Sequence, residues 1–146
     1  MITVEHRTIP ESILKESVLA RVAAAYFSVG KQLERNTRCS ATRGFILSTL
    51  RDGAVLNQNQ IAKLLGLDRT VVHRAIKSLV REKLVCEKKA PAGRSILVSL
   101  TPHGYRYREG LIKARMAADE KVRKAISEQD RLTLVRLLNQ IASLKL

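Results

Sequence analysis

Residues 57–79 read NQNQIAKLLGLDRTVVHRAIKSL. Asn57 and Gln60 have the spacing of a capping box, in which each side chain satisfies an orphan backbone donor at a helix start. The spacing predicts a short helix from Asn57 that buries Ile61, Leu64 and Leu65 and breaks at Gly66. Asp68 is placed to cap a second helix by accepting from its first free N–H groups. In that helix Val72, Ile76 and Leu79 recur at i, i+4 and i+7 and must face inward. Arg69, Thr70, Val71, His73, Arg74 and Lys77 occupy the opposite face. Two capped helices around a glycine turn, the second with an exposed basic face, form a helix-turn-helix.

After Lys83 the apolar period changes from 3.6 to 2. Residues 84–88 read as a strand, 90–93 as a turn and 95–100 as a second strand. The hairpin has a basic tip of Lys88, Lys89 and Arg94. A basic hairpin directly after a helix-turn-helix is a wing. The expected fold class is therefore mostly α with a small β wing.

Further out, Ile13, Leu14, Val18, Val22, Ala25, Val29 and Leu33 predict one long helix after Pro10. Ser40 caps another, which ends at Arg51-Asp52-Gly53 with Gly in the left-handed conformation. Thr101-Pro102 opens a long helix to about residue 126, with a stripe through Tyr107, Leu111, Ala114, Ala118, Val122 and Ala125. Glu109–Lys113, Asp119–Arg123 and Glu120–Lys124 are i, i+4 pairs on its wet face. Ser127 and Asp130 start a last helix carrying Leu134, Leu137, Leu138, Ile141 and Leu144. Leu132 and Val135 lie off that stripe, so this helix has more than one surface to pack against.

Composition narrows the function. The chain has 146 residues, with Lys+Arg 27 against Asp+Glu 13, a formal net charge of +14. Such an excess points to a polyanion, either nucleic acid or an anionic membrane surface. Residues 57–101 carry 9 basic and 3 acidic side chains, the steepest bias of any third. Five aromatics (Tyr 3, Phe 2) and no Trp count against single-strand binding, which needs stacking platforms. Duplex DNA is the leading partner. No apolar run approaches the length of a membrane span, and the first residues lack the apolar core of a signal peptide, so a cytoplasmic protein is expected. His6, His73 and His103 have no ligand spacing, so no metal and no cofactor are expected. No nucleophile elbow, phosphate loop or triad is present, so an enzyme is not expected.

Order and spacing resemble the MarR family of transcriptional regulators, the multiple-antibiotic-resistance type. The resemblance rests on Gln58 through Arg74, on Leu84-Val85, and on Arg94-Ser95-Ile96-Leu97-Val98-Ser99-Leu100-Thr101-Pro102-His103-Gly104. The LTP-x-G run after a wing strand is its most specific piece. Three positions depart from the family pattern. Ala92 stands where an Asp usually precedes the wing Arg by two. The wing is about one residue short. Lys83 stands where Gly is usual.

The resemblance implies a single MarR-like domain over 1–146. Its winged helix-turn-helix core would span 40–102, and dimerisation helices would lie at 11–36 and 103–145. It implies a homodimer on a palindromic operator, with residues 68–82 in a major groove and 86–95 along the flanking minor groove. The bound dimer would act chiefly as a repressor by blocking polymerase, with a small aromatic ligand releasing it. The other readings are a ligand-independent architectural or silencing DNA-binding protein, an oxidant sensor through Cys39, and a peripheral protein of anionic membranes.

The expected DNA-binding residues are Arg69, Thr70, Val71, His73, Arg74, Lys77, Lys88, Lys89 and Arg94. Arg74 is the choice for guanine, because its fork spans O6 and N7. Arg94 is the choice for a narrow A·T-rich minor groove. Lys88 and Lys89 suit phosphates. An effector pocket is one reading of Tyr26, Phe27 and Phe45; ordinary core positions are the other. Redox sensing is one reading of Cys39, next to Arg38 and near Arg43; a buried thiol is the other.

Overall fold

Thr101 and Gly104 fix the point at which the hairpin meets the following long helix. The Thr101 side chain accepts from the Gly104 N–H (2.9 Å) and donates to the Lys83 carbonyl (2.6 Å). The Thr101 N–H donates to the Leu84 carbonyl at 3.1 Å. A Cβ built on Gly104 would lie 1.9 Å from that same Leu84 oxygen. The LTP-x-G run thus has a physical reason: Thr caps, Pro opens the first turn, and Gly admits a neighbouring backbone.

These contacts come from a computed structural model that describes residues 15–51 and 53–144. The chain packs as two compact units, one ending at Ala41 and the other beginning at Thr42. In the first unit Ser17 is extended and caps α1 (Val18–Ala25), its side chain accepting from the Ala20 N–H at 3.2 Å. The long helix expected from Pro10 is therefore interrupted at Ser17; Ile13 and Leu14 lie outside the described residues. A π-helical turn (Tyr26–Gly30) leads into α2 (Lys31–Thr37), which Arg38 ends with φ of 53°. Ser17 escaped the reading because the apolar period runs straight through it, while its side chain offers the backbone a competing hydrogen bond.

The second unit is built on α3 (Ala41–Thr49), which enters it from the unit boundary. β1 (Leu56–Asn57), α4 (Gln58–Leu65) and α5 (Arg69–Arg81) follow. Then come β2 (Val85–Lys89), β3 (Ile96–Leu100), α6 (Pro102–Ala125) and α7 (Glu128–Ala142). The core is Ile46, Leu47, Leu50, Ile61, Val72, Ile76, Leu79, Leu84 and Val98, all fully buried. It draws on α3, α4, α5 and the sheet. Burying each such side chain contributes about 1.5–3 kcal/mol, so this cluster holds the three helices and the sheet together.

The Asn57–Gln60 capping box is present in both directions, at 2.8 and 2.9 Å. Gly66 ends α4 in the left-handed region, φ 62°. Gly53 is left-handed as expected, φ 76°. One expected core residue is misplaced: Leu64 is 65% exposed, and Ala62 is buried beside Ile61 instead. At about 100° per residue, Ile61, Ala62 and Leu65 share one arc and Leu64 falls outside it.

The sheet has three antiparallel strands in the order β1-β3-β2. β1 was not read from sequence, since two residues cannot show a period of two; Leu56 pairs with Val98 and Asn57 with Leu97. Between β2 and β3, Val85 faces Leu100 and Lys89 faces Ile96. Lys88 and Lys89 thus sit in the ladder rather than at the tip. The tip begins after Ala90, whose N–H donates to the Ser95 carbonyl at 2.9 Å.

Lys83 carries φ of 58°, which explains why its position suits Gly. A left-handed L-residue costs about 1–2 kcal/mol, and Gly returns part of that through its freer unfolded chain. Lys83→Gly is expected to raise unfolding stability by about 0.5–1 kcal/mol in denaturant titration. An unchanged or lowered midpoint would show that Lys83 bears no strain.

Of the three expected surface pairs on α6, Glu120–Lys124 closes, at 3.9 Å. Ser127 caps α7, accepting from the Asp130 N–H at 3.0 Å. No residue of α7 is buried.

Candidate nucleic-acid interface

Asp68 sets the start of α5. Its carboxylate accepts from the Thr70 N–H at 2.7 Å, and that backbone bond is the main reason its pKa lies below the ordinary carboxylate value. With Val72, Ile76 and Leu79 fully buried, helical geometry turns the other side outward. Arg69, Thr70, Val71, His73, Arg74 and Lys77 are all exposed. Val71 is 42% exposed, an aliphatic side chain left in water amid charged neighbours.

The wing stands beside this face. A cleft of about 460 Å³ separates them, lined from α4 by Gln58 and Asn59, from α5 by Arg69, His73 and Lys77, and from the wing by Glu87 and Arg94. Lys88, Lys89 and Arg94 are exposed. Among the described residues Arg69, Arg74, Lys88, Lys89 and Arg94 make no ion pair; the bridges formed lie elsewhere. Five cations are therefore displayed on two adjacent elements with no carboxylate in salt-bridge contact. Such a surface attracts a polyanion by releasing its counterions.

Lys77 differs from the rest. Its Nζ donates to Glu87 Oε2 at 2.7 Å, across from α5 to β2. Gln58 Nε2 donates to the other carboxylate oxygen at 3.3 Å. Gln58 Oε1 lies 3.1 Å from His73 Nδ1; an amide oxygen only accepts, so that ring nitrogen carries the hydrogen. Gln58 and Glu87 escaped the sequence reading. The available signal was a lone acidic residue within a basic hairpin, and it gains meaning only once β2 lies beside α5.

The remaining candidates scatter. Tyr26 and Phe27 lie in the first unit, edge to face with centroids 5.8 Å apart. The Tyr26 hydroxyl donates to Glu34 at 2.6 Å. Bonds from Lys31, Tyr26 and the Ala41 N–H hold the Glu34 carboxyl down at about 2. Phe45 belongs to the second unit, with the Arg115 guanidinium 5.4 Å from its ring centre. Cys39 is 5% exposed, too covered for a sensor that must meet an oxidant. Cys86 is half-buried, its Sγ 3.2 Å from Ser99 Oγ. No cluster of three or more His, Cys, Asp or Glu suits a metal ion among the described residues.

The family profile described as winged helix-turn-helix DNA-binding matches residues 42–85. No curated protein matches the chain. Among solved structures, MarR from E. coli in its apo form is 20% identical with a TM-score of 0.69, over 92% of this chain and 98% of that one. The fold is that of the MarR-type regulators. Other proteins share this MarR-type fold. BpsR of Bordetella bronchiseptica, a protein whose DNA binding is regulated by 6-hydroxynicotinic acid, is 23% identical with a TM-score of 0.78, over 90% of this chain and 96% of that one. The transcriptional repressor CouR, solved on a 23-mer DNA duplex, is 19% identical with a TM-score of 0.81, over 92% of this chain and 99% of that one. The match to the MarR-type fold thus extends beyond the winged helix-turn-helix into the flanking helices.

Proposed function

We propose that this protein is a sequence-specific, double-stranded-DNA-binding transcriptional regulator that acts in the cytoplasm as a homodimer, chiefly as a repressor. The observation that carries the reading is the display of Arg69, Arg74, Lys88, Lys89 and Arg94, exposed and without ion pairs, on α5 and the adjoining wing. Charge alone would also suit an anionic membrane. An N-capped helix with Thr70, Val71, His73 and Arg74 beside one another suits a groove wall with donors, acceptors and methyl groups. No helix among the described residues is long and apolar enough to cross a membrane. CouR is a repressor solved on DNA and BpsR responds to an aromatic acid, which supports the repressor reading and an aromatic-acid effector here.

Selection from a randomised duplex pool tests the reading. The selected duplex should bind at least about 10³-fold more tightly than random duplex at physiological salt. Vesicles of phosphatidylserine should not compete at equal charge. Equal affinity for all duplexes, or tighter binding to the vesicles, would defeat it. Aromatic acids titrated against the selected complex should release the DNA; a complex indifferent to all of them would leave a ligand-independent silencer.

The two basic elements should separate in their effects. Arg74→Ala should lose about 1–3 kcal/mol on the selected duplex and relax preference at one base pair, while random-duplex binding falls much less. Arg94→Ala should weaken binding most where the flanks are A·T-rich, since Ala92 supplies no carboxylate to hold the arginine elsewhere. Equal losses on selected and random duplexes for Arg74→Ala would make it a phosphate contact.

A further inference from the structure

A carboxylate is out of place on a surface that meets phosphates. Among the described residues Glu87 is the single acidic side chain lining the cleft between α5 and the wing, among cations and amides. Its position is specified from two sides. Lys77 Nζ lies 2.7 Å from Oε2 and Gln58 Nε2 lies 3.3 Å from Oε1. Gln58 is itself placed by His73 at 3.1 Å and by its location in the first turn of the capped helix α4. The Glu87 side chain is 18% exposed while that of Lys77 is 50% exposed. The carboxylate is thus the fixed, sheltered member, and the ammonium reaches over to it.

We propose that Glu87 is a built-in counterion of the reading helix, which neutralises Lys77 and withholds it from DNA phosphates. The inference rests on the DNA-binding reading above and concerns its strength and selectivity. A lysine held by a carboxylate neutralises no phosphate and so releases none of the counterions condensed on the DNA; Lys77 therefore contributes nothing to the salt-dependent part of affinity. In a chain of net charge +14, sequence-independent attraction threatens to swamp base readout. A carboxylate in the cleft beside α5 lowers that attraction without removing Arg69 or Arg74, which lie on the same helix as Lys77. Pairing Lys77 to β2 also ties α5 to the wing.

The test is the salt dependence of binding to random duplex for the wild type, Glu87→Gln and the double variant Lys77→Gln/Glu87→Gln. Glutamine keeps the shape of Glu87 and one acceptor oxygen. In Glu87→Gln the freed ammonium should steepen the slope of log K against log salt by about 0.9. Random-duplex affinity should then change by about 3.5-fold more than in the wild type between 50 and 200 mM salt. The double variant, again neutral at this point, should return to the wild-type slope. An unchanged slope in Glu87→Gln overturns the proposal. A double variant shallower than the wild type by about one unit also overturns it, because Lys77 would already sit on a phosphate. The double variant decides alone if Glu87→Gln does not fold. Wild-type protein that binds no duplex would sink the DNA-binding reading as well; a steep wild-type slope with no response in Glu87→Gln would sink this inference only.

Discussion

Gly104→Ala is expected to destabilise the second unit by about 3 kcal/mol or more and to lower its thermal midpoint by roughly 10 °C. The added Cβ would fall 1.9 Å from the Leu84 oxygen and 2.9 Å from its carbon. Neither side can yield cheaply. Leu84 is tied back to α5 through its N–H, which donates to the Leu79 carbonyl at 2.9 Å. Its oxygen accepts from the Thr101 N–H. To make room, the start of α6 must retreat and give up the Thr101 bonds to residues 83 and 84, each a loss of about 1 kcal/mol beyond the overpacking itself. Gly110, also in α6, has no atom within 4 Å of an added Cβ and serves as the control. Gly110→Ala should stabilise slightly, by up to about 1 kcal/mol, through helix propensity. Thermal melts of the two variants decide. Equal melting of Gly104→Ala and the wild type would mean the close approach at Leu84 is not a packing constraint.

Removal of residues 128–146 is expected to abolish dimerisation and to weaken binding to a full operator by about 100-fold or more. None of the residues of α7 is buried. Leu132, Leu134, Val135, Leu137 and Leu138 are 38–51% exposed. Contiguous apolar surface on this scale marks an interface, because water exacts a free-energy cost for every part of it left uncovered. α7 and the end of α6 also bound a cleft of about 570 Å³, its apolar lining Met116, Val122, Ile126, Leu134, Val135 and Leu138 rimmed by the charged Asp119, Glu120, Arg123 and Arg131. In the proposed homodimer a second copy of the chain would fill such a cleft and cover the face. Two reading heads on one frame would then bind one operator with an effective concentration that a lone head lacks. Analytical ultracentrifugation with operator titration checks this. A truncated protein that stays folded and binds the full palindrome as tightly as before would contradict it.

How much of this the sequence disclosed depended on how local each signal was. The caps at Asn57, Asp68, Thr101 and Ser127 are all present as read, because a cap involves residues three or fewer apart. The buried triad Val72, Ile76 and Leu79 was equally legible, since α5 is long enough for its period to show. Shorter or longer-range features were not. β1 is two residues and exists through its pairing with β3. Leu64 looked like core because α4, at 8 residues, does not define the edges of its own apolar arc. Glu87 carries no local signal, because its partner Lys77 lies ten residues earlier on α5 and meets it only when that helix packs beside β2. Tyr26, Phe27 and Phe45 were grouped by residue type, and the fold assigns them to different units.

Under the proposed function, two copies of the capped helix α5 read one duplex in adjacent major grooves. Hydroxyl-radical footprinting on the duplex selected from a randomised pool checks this arrangement. The expected result is two protected windows on a pseudo-palindrome, their centres about 34–36 Å apart, with the flanking minor grooves covered by the wings. A single asymmetric window, or protection spread evenly along the duplex, would contradict it.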